Sequence, residues 1–82
     1  MAPRAFAPVR IGMYGTTGDV RTVRCVFGAS EVLLEQWPCF SGDGYIHALQ
    51  SCIDGITGRV PPEAVRAALI AAAQEANIAF TG

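Results

Sequence analysis

The chain has 82 residues, of which 51% are hydrophobic and 16% are charged, and its formal net charge is −1. This composition excludes a disordered or acidic-tail protein, and the near-neutral charge gives no general attraction to nucleic acid or anionic lipid. Residues 1–82 make one small domain, whose core supplies only about 3–5 kcal/mol of stability without staples or partners. We therefore expect association with another chain.

Charge is unevenly distributed along the chain. Residues 1–27 contain four arginines and one aspartate, a net charge of +3, whereas residues 28–82 contain two arginines and six carboxylates, a net charge of −4. The two halves should attract each other. This uneven charge also favours a role in binding another protein.

Cysteine usage and hydropathy indicate the compartment. The three cysteines, Cys25, Cys39 and Cys52, form no Cys-x-x-Cys pair, so we expect neither a disulfide framework nor a zinc site. No apolar stretch has the length and flanks of a signal peptide or a membrane span. We expect a cytoplasmic protein in a reducing compartment, without membrane contact.

The first predicted elements are two antiparallel strands. The segment VRIGMY, residues 9–14, and the segment TVRCVF, residues 22–27, both alternate with the period of two that half-buried strands show. In the second strand this alternation places Val23, Cys25 and Phe27 on the inner face. The glycines at 12, 15 and 18 fit a hairpin turn better than a phosphate loop, whose spacing they lack.

The first predicted helix follows the hairpin directly. Gly28 is an acceptable N-cap, and Ala29, Leu33 and Trp37 recur at the spacing of one helical face. The helix should end near Trp37, because Pro38 restricts the residue before it and has no amide hydrogen.

The second predicted helix begins about Asp43 and ends around Gly55 and Gly58. Its apolar residues form one stripe that we expect to face the core: Tyr45, Ala48, Leu49, Cys52, Ile53 and Ile56. The preceding SGDG could present free amides to an anion, but Asp43 already places a negative charge there, so self-capping is the better explanation.

The third predicted helix has Pro61 and Pro62 at its start, where a missing amide hydrogen costs nothing. Asn77 is predicted to adopt the left-handed conformation that ends a helix, with Ile78 folding back against it. The inner face consists of apolar residues, namely Val65, Leu69, Ala72, Ala73 and Ala76. The predicted order is ββααα, an α+β fold.

The stretch EQWPCFSGDGYIHALQSC, residues 35–52, holds the single tryptophan, the single histidine and two cysteines, and is the first place to look for a reactive site. His47 and Cys52 are five positions apart, about 140° around a helix, so they cannot form a dyad within it. Cys39 lies in a predicted loop and could approach His47, but no third group is evident to orient the histidine. We favour a plain thiol there.

The remaining ionisable residues give no catalytic pattern. The sequence shows no carboxylate pair of recognisable spacing, no metal-ligand cluster and no Ser/His/Asp signature. We therefore expect a protein that is not an enzyme and needs no cofactor.

Five residues are candidate binding residues: Arg10, Arg21, Arg24, His47 and Asp54. The histidine shares a polar helix face with Asp54, and we expect that face to meet water or another chain. The arginines could grip phosphate or an acidic partner, although Arg21 has the strand parity of the inner residues and Arg24 the opposite parity. A solvated face balanced by helix carboxylates is the favoured interpretation.

Several short motifs occur in a characteristic order and cover nearly the whole chain. They are Phe6-x-Pro8-Val9, Arg21-Thr22-Val23, Leu33-Leu34-x-x-Trp37-Pro38, Gly42-x-x-Tyr45-x-x-Ala48-x-x-x-Cys52 and Glu63-Ala64-x-Arg66-x-x-Leu69-Ile70-x-Ala72-Ala73-x-Glu75-Ala76. Together they resemble family 982 of the domains of unknown function, which are short proteins found chiefly in alphaproteobacteria. The resemblance implies a free-standing small cytoplasmic domain, and it implies no activity and no binding residue. Asn77 replaces the glycine usual in that family, as its C-cap role allows, and Leu69 replaces a common phenylalanine.

An isolated hairpin leaves two strand edges open and needs further strands or a covering layer. We expect three helices over one face and a homodimer in which two hairpins join across a two-fold axis into a four-stranded sheet. The expected function is a non-enzymatic protein-binding or regulatory module with an unidentified protein partner. Binding of nucleic acid or a phosphate ligand through the arginines of the hairpin is the less favoured alternative.

Overall fold

The computed structural model describes residues 5–12, 20–35, 37 and 42–81. The elements are strands β1 (Ala5–Gly12) and β2 (Val20–Cys25), helices α1 (Val26–Glu35), α2 (Asp43–Ile56) and α3 (Pro62–Glu75), and strand β3 (Phe80–Thr81). The predicted order of a hairpin followed by three helices is confirmed, and the fold is α+β. In the described ranges, none of the helices combines the length and the apolar character needed to cross a membrane.

The sheet contains a third strand that the sequence pattern does not predict. The strand order is β2-β1-β3, and both neighbours pair antiparallel with the central strand β1. The expected count of two strands per chain is therefore wrong, because the C-terminal segment of the same chain pairs with Arg10 and Ile11 on one edge of β1. A two-residue strand carries no periodicity, which is why the pattern could not reveal it.

The chain changes from strand to helix two residues earlier than predicted. Helix α1 begins at Val26, not after an N-cap at Gly28, and Phe27 is 54% exposed in its first turn instead of facing the core from a strand. Val26 takes the buried position and packs against Gly55 of α2. This tertiary contact decides the boundary, since the sequence pattern fits either element.

Helices α1 and α3 pack on one face of the sheet, and α2 packs mainly on those two helices. Val9 and Ile11 of β1 and Val23 of β2 face this layer and are buried, as predicted. The pairing register shifts between Ala5 and Val9, which lets Phe6 face the same side despite its odd spacing from Val9. Met13 lies outside the described residues.

Helices α2 and α3 both end in a left-handed residue. Gly58 has φ 83° and Asn77 has φ 58°. After α3, the Ile78 amide donates to the Ala73 carbonyl at 2.8 Å and the Asn77 amide to the Gln74 carbonyl at 3.2 Å. These are the two bonds of a Schellman motif, and the predicted C-cap is confirmed.

The predicted apolar stripe of α2 is only partly buried. Tyr45, Ala48 and Cys52 lie in the core, but Ile53 and Ile56 are 55% and 39% exposed, so their assignment to the core was wrong. The helix buries Ser51 and Gly55 in their place. Small residues let α2 approach α1 and α3 closely, and this packing turns the larger side chains outward.

Candidate functional site

The three hairpin arginines are divided between the two faces of the sheet. Arg21 lies on the helix side, where its Nη2 donates to Oε1 of Glu31 at 2.9 Å. Arg10 and Arg24 are exposed on the opposite side, which we call the open face, and neither forms an ion pair within the described residues. The division follows strand parity. Arg10 and Arg24 therefore share the open face, and Arg21 does not.

Arg10 lies beside an open groove of about 440 Å³ on this face. The register places Thr22 of β2 on one side of Arg10 and Thr81 of β3 on the other. Gly12 and Val20 also line the groove, together with Ala79 and Phe80. One cation, two hydroxyls and an apolar wall thus lie close together.

His47 and Asp54 lie on the outer part of α2. His47 is exposed, while Asp54 is half-buried and accepts a hydrogen bond from Nε2 of Gln50 at 3.3 Å. The two residues are seven positions apart, about 10 Å along the helix axis, so they do not form a pair. Within the described residues there is no group of three or more His, Cys, Asp and Glu side chains that could hold a metal ion.

Cys52 is buried in the core, and burial raises the pKa of its thiol to about 11. The thiol is therefore protonated at neutral pH and a poor nucleophile. The folded state holds this thiol protonated, so its contribution to the free energy of unfolding is fully present below pH 9. That contribution is lost progressively as the pH rises towards 11. Cys39 lies outside the described residues.

We expect a thiol reagent at neutral pH to modify Cys25 faster than Cys52. Cys25 is half-buried at the end of β2, whereas Cys52 is only 2% exposed and reacts only as the thiolate. Timed alkylation followed by peptide mass spectrometry measures both rates. The same measurement in denaturant is the control, and equal rates in the folded protein would contradict the prediction.

The N terminus of α2 is capped by a side chain of α3. An oxygen of the Glu75 carboxylate accepts a hydrogen bond from the Gly44 amide, and the N-cap residue Gly42 makes no side-chain hydrogen bond of its own. Asp43 lies in the first turn, where we predicted its negative charge, and Glu75 of α3 adds a second carboxylate at the same helix end. Ser41 of the predicted capping segment lies outside the described residues. A Cβ at position 44 would collide with this carboxylate and lie 3.3 Å from Cα of Ala72, so Gly44 makes the contact possible. The carboxylate occupies the place that an anion would need.

Replacing Glu75 with alanine should lower the free energy of unfolding by about 0.5–1.5 kcal/mol, because α2 loses the acceptor for its Gly44 amide. Denaturant unfolding measures the change. Glu35→Ala is the matched control, since Glu35 is also an exposed glutamate at a helix C terminus. A similar loss in both variants would show that the contact contributes nothing.

The most unusual feature of the surface is a group of exposed apolar side chains. Five large apolar side chains on α1 and α2 are 39–62% exposed, namely Phe27, Leu34, Ile46, Ile53 and Ile56. We call this set the α1–α2 apolar face. Exposed patches of this kind on small proteins mark interaction sites.

Two contacts show how α1 and α2 lie against each other. The Tyr45 hydroxyl donates to the Leu33 carbonyl at 3.0 Å near one end, and Val26 packs on Gly55 near the other. The helices are therefore antiparallel. Phe27 lies near the C-terminal end of α2, and Leu34 lies near its N-terminal end.

Helical geometry makes the apolar face continuous. On α1, Phe27 and Leu34 are two turns apart and lie on the outer side, while Glu31 is turned towards Arg21 of β2. On α2, Ile46 and Ile53 are also two turns apart. Ile56 and the half-buried Leu49 lie between them and the contact with α1, so they fill the groove between the two helices.

Two features of the sequence hide this face. The alternation of residues 22–27 predicts that Phe27 faces inward from a strand, and the apolar stripe of α2 includes Ile53 and Ile56 together with true core residues. Ile46 is the one residue whose position in the sequence indicates an exposed apolar face, because it interrupts the polar side of α2 that carries His47 and Gln50.

Comparison with known proteins places the whole fold in one family. A family model described as Protein of unknown function (DUF982) matches residues 7–80. The match runs from β1 to the first residue of β3 and includes all three helices. No curated protein and no solved structure matches the chain.

Proposed function

We propose that this chain, which belongs to the DUF982 family of proteins of unknown function, is a non-enzymatic protein-binding or regulatory module. We propose further that it acts as a homodimer in the cytoplasm. The observation that carries the proposal is the α1–α2 apolar face.

The size of this face fits a second copy of the chain. Its five side chains, each about half exposed, supply on the order of 500 Å² of apolar surface if a large side chain presents about 200 Å². A standard interface buries about 800 Å² per partner, of which about 65% is apolar in homodimers. The two estimates agree, so a dimer of standard size would cover the whole face.

The chemistry of the face also suits self-association. The polar side chains closest to its centre are Ser30 and Gln50, and the charged residues Glu31 and Asp54 lie towards its flanks. Two copies related by a two-fold axis can therefore meet without opposing like charges. The antiparallel pairs α1 and α2 of the two copies would stack as a four-helix layer.

The expected dimer through hairpin edges is the alternative geometry. It would use the outer edge of β2, since β3 already pairs with Arg10 and Ile11 on the other edge of β1. Arg21 and Arg24 lie on that strand, and charged residues are a common way to protect an edge from pairing. We therefore favour the helical face.

Sedimentation of the full chain tests the homodimer. We expect a dimer at tens of micromolar that dissociates on dilution. A strict monomer across that range would contradict the proposal, and the variants argued in the Discussion identify the surface.

Nucleic-acid binding is the second candidate function. It is favoured by Arg10 and Arg24, which are exposed on the open face without ion-pair partners among the described residues. Phosphate contacts give affinities that fall steeply with salt. Titration of mixed DNA and RNA at several salt concentrations separates this function from protein binding, because absence of binding at low salt would remove it.

A further inference from the structure

We propose that the groove beside Arg10 on the open face binds a small organic anion, with a carboxylate or phosphate head and a compact apolar group. This site goes beyond the proposed function. It lies on the face of the sheet opposite α1 and α3, and its test does not depend on the dimer.

The polar end of the groove is a row of three side chains across the sheet. Arg10 lies in the central strand, paired with Thr22 of β2 and with Thr81 of β3. A guanidinium presents planar donors that match carboxylate and phosphate oxygens, and the flanking hydroxyls can donate to the same group. Within the described residues no carboxylate competes for Arg10.

The next row supplies the apolar part. Gly12 pairs with Val20 of β2, and on the other side its amide donates to the Ala79 carbonyl at 2.8 Å. Val20 is 55% exposed, so a bound apolar group would cover a side chain that otherwise faces water. The two rows give the groove one cationic end and one apolar end.

Gly12 itself indicates a site, because packing against the described part of the chain does not require a glycine there. A Cβ at this position would lie 3.5 Å from Cβ of Ala79, an ordinary contact, whereas a Cβ at Gly55 would lie 2.7 Å from a methyl of Val65. Gly12 also lacks the positive φ of Gly42 and Gly58. Glycine inside a strand weakens it and often marks the close approach of another group.

The volume is sufficient for such a ligand. Small-molecule sites in proteins have volumes of about 300–1,000 Å³, and this groove has about 440 Å³. A single-ring carboxylate or phosphate fits within it.

The test uses four probes and amide chemical shifts of the full chain. Benzoate and phenyl phosphate combine the charge and the ring, benzamide keeps the ring without the charge, and inorganic phosphate keeps the charge without the ring. We expect saturable shifts at Gly12, Thr22 and Thr81 with benzoate or phenyl phosphate. Benzamide and inorganic phosphate should bind at least about tenfold more weakly.

Arg10→Gln should weaken binding by about ten- to a hundredfold, the effect of losing charge-assisted hydrogen bonds. Arg24→Gln is the matched control, since it removes the same charge from the same face but does not line the groove. Gly12→Leu should block the groove and abolish binding. Thermal unfolding of each variant shows that the fold is retained.

Three results would overturn the site. The first is the absence of saturable shifts with every probe. The second is equal weakening by Arg24→Gln, which would indicate general charge attraction. The third is inorganic phosphate binding as tightly as phenyl phosphate, which would remove the apolar part of the site.

Discussion

Gly55→Val is expected to lower the free energy of unfolding by about 2–3 kcal/mol, and Gly55→Ala by about 1 kcal/mol. A Cβ at this position would lie 2.7 Å from Cγ2 of Val65 and 3.2 Å from Cγ1 of Val26, so α2 would have to move away from both neighbouring helices. The loss is smaller for alanine because alanine favours the helix over glycine by about 1 kcal/mol, which offsets part of the steric cost. Thermal unfolding measures the change, at about 4–8 °C per kcal/mol for a domain of this size.

Gly28→Ala is the matched control for this prediction. It makes the same chemical change inside a helix, but its Cβ would lie 3.7 Å from Val23 and 3.8 Å from Sγ of Cys25, which are ordinary contacts. We expect it to raise stability by about 0.5–1 kcal/mol through helix propensity. If Gly55→Ala also raised stability, this would contradict the prediction that Gly55 is needed for the three helices to pack closely.

Gly55 shows where sequence reasoning succeeds and where it stops. The sequence predicts where α2 and α3 end, at Gly58 and Asn77, and where α3 starts, at Pro61 and Pro62. These positions are predictable because capping depends on residues within one turn. Gly55 looked like another stop signal. Its actual role depends on Val26 and Val65, which lie in other elements, and no local pattern contains that information.

The same limit explains the other differences. Strand β3 forms because residues near the C terminus pair with β1, which is distant in the sequence. The orientation of α2 about its own axis is set by its packing on α1 and α3. Strand parity, in contrast, is local, and it correctly separated Arg21 from Arg24 before the fold was known. The groove beside Arg10 could not be predicted, since it needs Thr81 and Ala79 from the unforeseen C-terminal segment.

Ile53→Asp is expected to raise the dimer dissociation constant at least about a hundredfold, because an unpaired carboxylate would be buried at the centre of the interface. The monomer fold should be retained, since the side chain is 55% exposed. Sedimentation across a concentration series measures the constant, and circular dichroism checks the fold. Leu34→Asp should have the same effect from α1, because both helices form the face.

Val20→Asp is the control that separates the two dimer geometries. Val20 is exposed to the same extent as Ile53, at 55%, but it lies on β2 and faces the open side of the sheet. It should leave a dimer through the α1–α2 apolar face intact. Dissociation by Val20→Asp with no effect of Ile53→Asp would instead place the two-fold axis at the β2 edge. In that case the apolar face would stay free in the dimer, and its exposed side chains would be the contact surface for a different protein.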